Sequence, residues 1–257
     1  MEKRQLPIAV IDSGVGGISV LRELIKILPN ERFLYYGDSA NAPYGSRSRN
    51  EVLAITRSNL AMLLDRGIKA LVIACNTATS AAAKTLRAEY PHLPIIGIEP
   101  AIKPAALLMN NPRVLVMATP LTLKEEKFLA LAARFDHLQE MIPLPCRGLV
   151  ELIEGGHLDD APLHEYLDGL FAPFTGQQID AVVLGCTHYP HVREAIAAHF
   201  PAGTVILDGG EGTARETKRR LLEADLAANG EQTGEVVILN SNNDPRLIDL
   251  CHRLLKR

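Results

Sequence analysis

The chain has no tryptophan, and aromatic residues make up only 5% of its 257 positions. Stacking platforms for bases or sugars are therefore scarce, and the core must be mainly aliphatic. No stretch approaches the roughly 18 uninterrupted apolar residues of a membrane span. Met1-Glu2-Lys3-Arg4-Gln5 leads into a short apolar run that stops at Asp12, too little for an export signal. A cytoplasmic location is expected. There is no excess of positive charge either: 27 Lys and Arg against 30 Asp and Glu leave a net charge of −3. General attraction to nucleic acid or an anionic membrane is thus not expected. The four cysteines, Cys75, Cys146, Cys186 and Cys251, lack zinc-ribbon and CxxC spacing, so no metal site is read from them. They are expected to be reduced thiols.

What is present is globular. Hydrophobic residues are 47% and charged residues 22%, and the length suits one large or two compact domains. Eight continuous apolar runs, most of them rich in β-branched residues, recur: Ile8–Ile11, Phe33–Tyr36, Ala70–Ala74, Ile95–Ile98, Val114–Met117, Ala181–Leu184, Val205–Leu207 and Val236–Leu239. Runs without alternation predict strands covered on both faces. Helical patterns lie between them. Ile18, Leu21, Leu24, Ile25 and Leu28 form one stripe ending before Pro29. Asn50 is the expected cap of a second helix that turns Val52, Leu53, Leu60, Leu63 and Leu64 inward and stops at Gly67. Thr122-Leu123-Lys124-Glu125 reads as a capping box opening a helix through Phe135. This alternation predicts an α/β class with parallel sheets.

One internal echo stands out. Ala70–Ala74 leads to Cys75-Asn76-Thr77, and Ala181–Gly185 leads to Cys186-Thr187-His188. Each apolar strand ends in a cysteine, followed by polar residues and an expected helix, the second with Pro190 in its first turn. The chain therefore reads as two similar α/β halves. One is residues 1–98 with 208–257 and the other is 99–207. Ligands of open α/β sheets bind beyond the carboxyl ends of strands, where both thiols are expected. A helix N-terminus favours thiolate there, and neighbouring amides and hydroxyls suit a carboxylate. One thiolate removing a carbon-bound proton while an opposing thiol delivers another would invert that carbon without metal or cofactor. Cys146 and Cys251 lack this context and are expected to be structural.

Asp12-Ser13-Gly14-Val15-Gly16-Gly17 imitates a dinucleotide fingerprint, but Ser19 stands where the third glycine belongs. Ser13 and the loop amides are expected to hold a substrate anion, with Asp12 as a proton partner of Cys75. A plain strand–helix turn with a capping Asp remains the alternative. Gly37–Gly45 reads as a lid gripping substrate near Pro43-Tyr44-Gly45, or as an ordinary surface connection. His188 and His191 are three apart, too few ligands for a metal, and His188 suits a proton shuttle for Cys186. Lys218-Arg219-Arg220 reads as a solvated helix face.

Taken together, these motifs resemble the bacterial glutamate racemase family of the cofactor-independent aspartate/glutamate racemase superfamily, over nearly the whole chain. The carriers are Asp12–Gly17, Tyr36-Gly37-Asp38 with Pro43-Tyr44-Gly45, Ala74-Cys75-Asn76-Thr77-Ala78, Glu99-Pro100-Ala101-Ile102-Lys103-Pro104, and Gly185-Cys186-Thr187-His188-Tyr189-Pro190. The resemblance implies two pseudo-symmetric parallel-sheet domains with glutamate bound between them and no cofactor. It implies Cys75 as the base for the D-enantiomer and Cys186 for the L-enantiomer. Asp12 would assist Cys75, while His188 and Glu154 would assist Cys186. Asp12, Ser13, Pro43, Tyr44, Gly45, Asn76, Thr77, Thr119, Thr122, Thr187 and His188 would bind the substrate. D-glutamate for peptidoglycan would be the product. The implied partner is this small molecule, not nucleic acid or membrane, and a homodimer is left open.

The sequence departs from the family pattern in places. Leu121 replaces a glycine in Ala118-Thr119-Pro120-Leu121-Thr122, Arg147-Gly148 replaces a proline-containing stretch, and Gly209 or Gly210 stands where serine is common. The chain lacks the long N-terminal extension of some relatives, so precursor-activated regulation is not expected. Aspartate, a hydantoin or another activated amino-acid derivative as substrate, a noncatalytic carboxylate-binding protein, and a dinucleotide-dependent dehydrogenase are the competing expectations.

Overall fold

The computed structural model describes residues 3–108, 111–124, 140–230 and 234–257. The chain forms two compact units, Met1–Glu99 with Gly210–Arg257, and Pro100–Gly209.

The first unit carries strands β1 (Ile8–Asp12), β2 (Phe33–Gly37), β3 (Ala70–Ile73), β4 (Ile95–Gly97) and β9 (Val236–Asn240). They pair in parallel in the order β4-β3-β1-β2-β9. The second carries β5 (Arg113–Ala118), β6 (Glu140–Pro145), β7 (Ala181–Leu184) and β8 (Val205–Asp208), parallel in the order β6-β5-β7-β8. The α/β class and the two parallel sheets are therefore as the sequence predicts. Every residue of β1, β3 and β7 is buried, which is why these strands read as unbroken apolar runs. Each unit has its own core. Leu60, Leu63, Leu71 and Ile73 lie in that of the first, and Leu115, Met117, Leu163 and Leu167 in that of the second.

The order β2-β1-β3-β4 in one sheet is the order β6-β5-β7-β8 in the other, so the internal echo extends to topology. Backbone hydrogen bonds fix the correspondence. Ala74 N–H donates to Ile11 O at 2.8 Å, and Gly185 N–H donates to Met117 O at 2.7 Å. Cys75 and Cys186 are thus the same step beyond equivalent strands.

Sequence and structure differ in four places. The helix Arg49–Asp65 is capped by Ser48, not Asn50, through a capping box with Glu51. A helix starts at Pro120 rather than after Thr122, and the Thr122 N–H donates to Thr119 Oγ1 at 3.3 Å. The continuation of that helix to Phe135 lies outside the described residues. Cys186 does not open an α-helix: Thr187 and His188 form a turn, and Tyr189–Val192 is a 3₁₀ helix with Pro190 in its first turn. Strand β6 was not expected at all. Its Pro143 and Pro145 are two apart on an edge strand, where their missing N–H groups face away from β5, so the parallel ladder survives.

Candidate active site

In the first unit the site residues gather at the carboxyl ends of β1, β2 and β3. Cys75 is the N-cap of the helix Asn76–Glu89, and its sulfur accepts from the Ala78 N–H at 3.4 Å. A backbone N–H donated to a sulfur at a helix N-terminus favours its anionic form. Asn76 and Thr77, in the first helical turn, are both buried. Asn76 Oδ1 is buried and accepts no hydrogen bond among the described residues.

Asp12 closes β1, the strand beside β3, and is 3% exposed. Its Oδ1 accepts from Gly14 N–H at 3.0 Å, and the helix begins only at Ile18 with Gly17 as N-cap. Asp12 is therefore a turn former rather than the helix cap. Gly17 is required there: a Cβ would stand 2.7 Å from Asp12 Cβ and 3.0 Å from Ala74 Cβ. Ser13 is buried in the same turn, and the Tyr35 hydroxyl donates to Gly14 O at 2.7 Å, fixing the loop from below.

The segment after β2 is more built than a surface connection. Ser39–Asn41 and Tyr44–Ser46 are 3₁₀ turns, with Pro43 exposed between them and Tyr44 buried. Tyr44 donates to Asp38 Oδ2 at 2.7 Å. Asp38 is fully buried and also accepts from Asn59 Nδ2 at 2.9 Å and from Asn41 Nδ2 at 3.1 Å. Burial, the bond to Asp38 and the nearby Asp38, Cys75 and Asp12 charges all push the Tyr44 hydroxyl well above its ordinary value. Tyr44 stays neutral and donates. Gly45 follows it at the rim of the same turn.

In the second unit, Cys186 lies beyond β7. Its sulfur is 3.7 Å from His188 Nδ1, and His188 Nε2 is 2.9 Å from Glu154 Oε1. Cys186, His188 and Thr187 are buried, while the Glu154 carboxylate is 19% exposed at the end of the helix Leu149–Glu154. Burial works against charge on His188, but the hydrogen bonds and charges of Cys186 and Glu154 outweigh it and raise its pKa well above the ordinary value. A thiol, an imidazole and a carboxylate in this order can pass a proton from one to the next. Thr119 and Thr122 bond to each other at 2.9 Å beyond β5, with Leu121 between them on the first helical turn.

Each predicted residue thus belongs to one of two clusters. Asp12, Ser13, Pro43, Tyr44, Gly45, Cys75, Asn76 and Thr77 are in the first unit; Thr119, Thr122, Glu154, Cys186, Thr187 and His188 are in the second. Asp38 and Asn59 were not predicted. Asp38 stands directly after β2 in the motif Tyr36-Gly37-Asp38, whereas Asn59 is marked only by its place within Arg49–Asp65. Cys146 is buried, and desolvation pushes its thiol up to about 12, in keeping with a structural role. Among the described residues, no group of three or more His, Cys, Asp or Glu is arranged to hold a metal. No described helix is long and apolar enough to cross a membrane.

The family model for Asp/Glu/hydantoin racemase matches residues 8–217. A glutamate racemase of Clostridium acetobutylicum is 49% identical over 255 residues, covering 99% of both chains. The crystal structure of Escherichia coli glutamate racemase in complex with L-glutamate and the activator UDP-MurNAc-Ala matches with a TM-score of 0.85 at 30% identity, over 97% of this chain and 95% of that one. Glutamate racemase of Francisella tularensis in complex with D-glutamate gives a TM-score of 0.84 at 27% identity, over 99% and 95%. Motifs, topology and full-length similarity converge, and the chain belongs to the Asp/Glu/hydantoin racemase family.

Proposed function

We propose that the chain interconverts L- and D-glutamate by two-base proton transfer, without a cofactor. The observation that carries this is the equivalence of Cys75 and Cys186, each two residues past a matching strand and each beside its own polar cluster. The Cys186 thiolate takes the α-proton of L-glutamate, and the Cys75 thiol delivers its proton to the other side of the α-carbon. In the reverse direction Cys75 is the base and Cys186 the acid. Protons balance: the enzyme ends each turnover with the opposite thiol charged and must exchange a proton before the next in the same direction. His188 with Glu154 serves that exchange for Cys186, and Asp12 serves it for Cys75.

Binding falls to groups that suit an amino acid. The unmatched Asn76 Oδ1 is a cost of about 1–3 kcal/mol that a substrate ammonium can offset. Ser13, Thr77, Thr119, Thr122, Thr187 and the Tyr44-Gly45 backbone supply donors for two carboxylates, with Pro43 shaping the turn. The 49% identity to a Clostridium glutamate racemase supports glutamate as substrate. D-glutamate made in the cytoplasm for peptidoglycan is the corresponding role.

Incubation with L-glutamate in heavy water tests this. D-glutamate carrying deuterium at the α-carbon is the expected product. Folded protein that gives neither inversion nor exchange overturns the proposal, and faster exchange of L-aspartate than of L-glutamate reassigns the substrate.

A further inference from the structure

We infer that Asn240 and Ser241, at the end of β9, are positioning residues for the substrate-binding turn Pro43-Tyr44-Gly45; this rests on the role given to that turn above.

They are remote in sequence from every motif the chain displays. In space they meet the segment that leads into the turn. Asn240 is buried, and its Nδ2 donates to Ser39 Oγ at 2.8 Å. Its Oδ1 accepts from Asn242 N–H at 2.9 Å, which fixes the orientation of the amide. Ser241 Oγ accepts from Ala40 N–H at 2.9 Å. Ser241 N–H donates to Gly37 O at 2.9 Å. The result is a clip on residues 37, 39 and 40, directly upstream of residues 43–45.

The clip adds an anchor on the upstream side of the turn. On its inner side the turn is tied through Tyr44 to buried Asp38 and Asn59. Its upstream limb, Ser39–Ala40, is held by bonds from the C-terminal strand. Ala40 is exposed and Ser39 half-buried, so water would compete for these groups if the clip opened. The sheet itself does not depend on it, because β9 pairs with β2 along five residues from Val236 to Asn240. Loss of the Ser241 hydroxyl should therefore loosen the turn without unfolding the unit.

Ser241→Ala is expected to raise KM for both enantiomers about three- to ten-fold, the scale of one neutral hydrogen bond. kcat should stay within about two-fold, because bonds made equally in ground and transition state act on KM alone. Ser241→Thr, which keeps the hydroxyl, should recover most of the lost KM, and thermal melts should place both variants near the parent. Tyr44→Ala, made in parallel, must raise KM if the turn binds substrate. Unchanged KM in Ser241→Ala with raised KM in Tyr44→Ala overturns the positioning role and leaves the turn's role standing. Unchanged KM in both removes the turn from the binding site and the inference with it. A fall in kcat and melting temperature that Thr does not restore also overturns it, as a merely structural effect.

Discussion

At the scale of single residues, His188 is the most constrained group in either cluster. It is 1% exposed, yet it faces a thiol on one ring nitrogen and a carboxylate on the other. Its folded pKa lies above the ordinary value of 6.5. A raised folded value means that protonated His188 stabilises the fold fully below the unfolded pKa, and that this contribution is lost as pH rises through the folded pKa. The gap in melting temperature between the parent and His188→Asn should accordingly be widest below about pH 6.5 and narrow on the alkaline side. A gap that widens with pH instead would mean that His188 is held neutral. Glu154→Gln keeps an acceptor for Nε2 and removes the charge. It should lower kcat/KM by about a hundred-fold, in the range of a lost acid–base partner. The loss must be equal in both directions, since enantiomers have equal free energy in water. Parent-level kcat/KM in this variant would exclude Glu154 from the relay.

At the scale of elements, strands were more legible than their ends. Runs such as Ala70–Ile73 and Ala181–Leu184 show in the sequence because both faces of a central strand must be apolar. Strand β6 was hidden because an edge strand can carry Glu140 and two prolines and expose half its residues. The Ser48 cap was hidden among Ser46, Ser48 and Asn50, three residues able to cap; Glu51 at the third helical position was the deciding signal. Of the site, both cysteines and the His188 neighbourhood were legible, since a polar residue directly after a buried strand is conspicuous. Asn59, Asn240 and Ser241 were not, because their link is made by folding across distant segments; Asp38 stands in view after β2, but its bonds to Tyr44 and Asn59 do not. The turn glycine and the helix cap should separate cleanly in experiment. Ser48→Ala should cost about 1 kcal/mol of stability and leave kcat/KM alone. Gly17→Ala forces a Cβ into contact with Asp12 and Ala74, so overpacking of about 1–3 kcal/mol should come with a loss of activity well beyond that of the cap variant. Denaturant melts beside assays at a temperature where both variants are folded would show it, and equal activities would mean that Asp12 is free to move without consequence.

At the scale of the whole molecule, repeated topology is coupled to unequal chemistry. The register makes Asp12 equivalent to Ala118 and Asp38 equivalent to Cys146, since Asp38 N–H donates to Asp12 O and Cys146 N–H donates to Ala118 O. One cysteine therefore has a carboxylate on the neighbouring strand, while at the other that position is a methyl group. The acid partner of the second cluster comes instead from the helix Leu149–Glu154, relayed through an imidazole. Two unlike environments on one scaffold suit a reaction in which each thiol serves a different enantiomer. The consequence is separable by isotope. In heavy water, Cys75→Ser should lose inversion, because a serine hydroxyl is a far weaker acid, yet Cys186 can still remove and return the α-proton of L-glutamate. Deuterium should then enter the L-pool with retained configuration and stay out of the D-pool. Cys186→Ser should show the converse. Entry into the opposite pools would reverse the assignment of the two thiols, and parent-level racemisation by either variant would overturn the two-thiol mechanism itself.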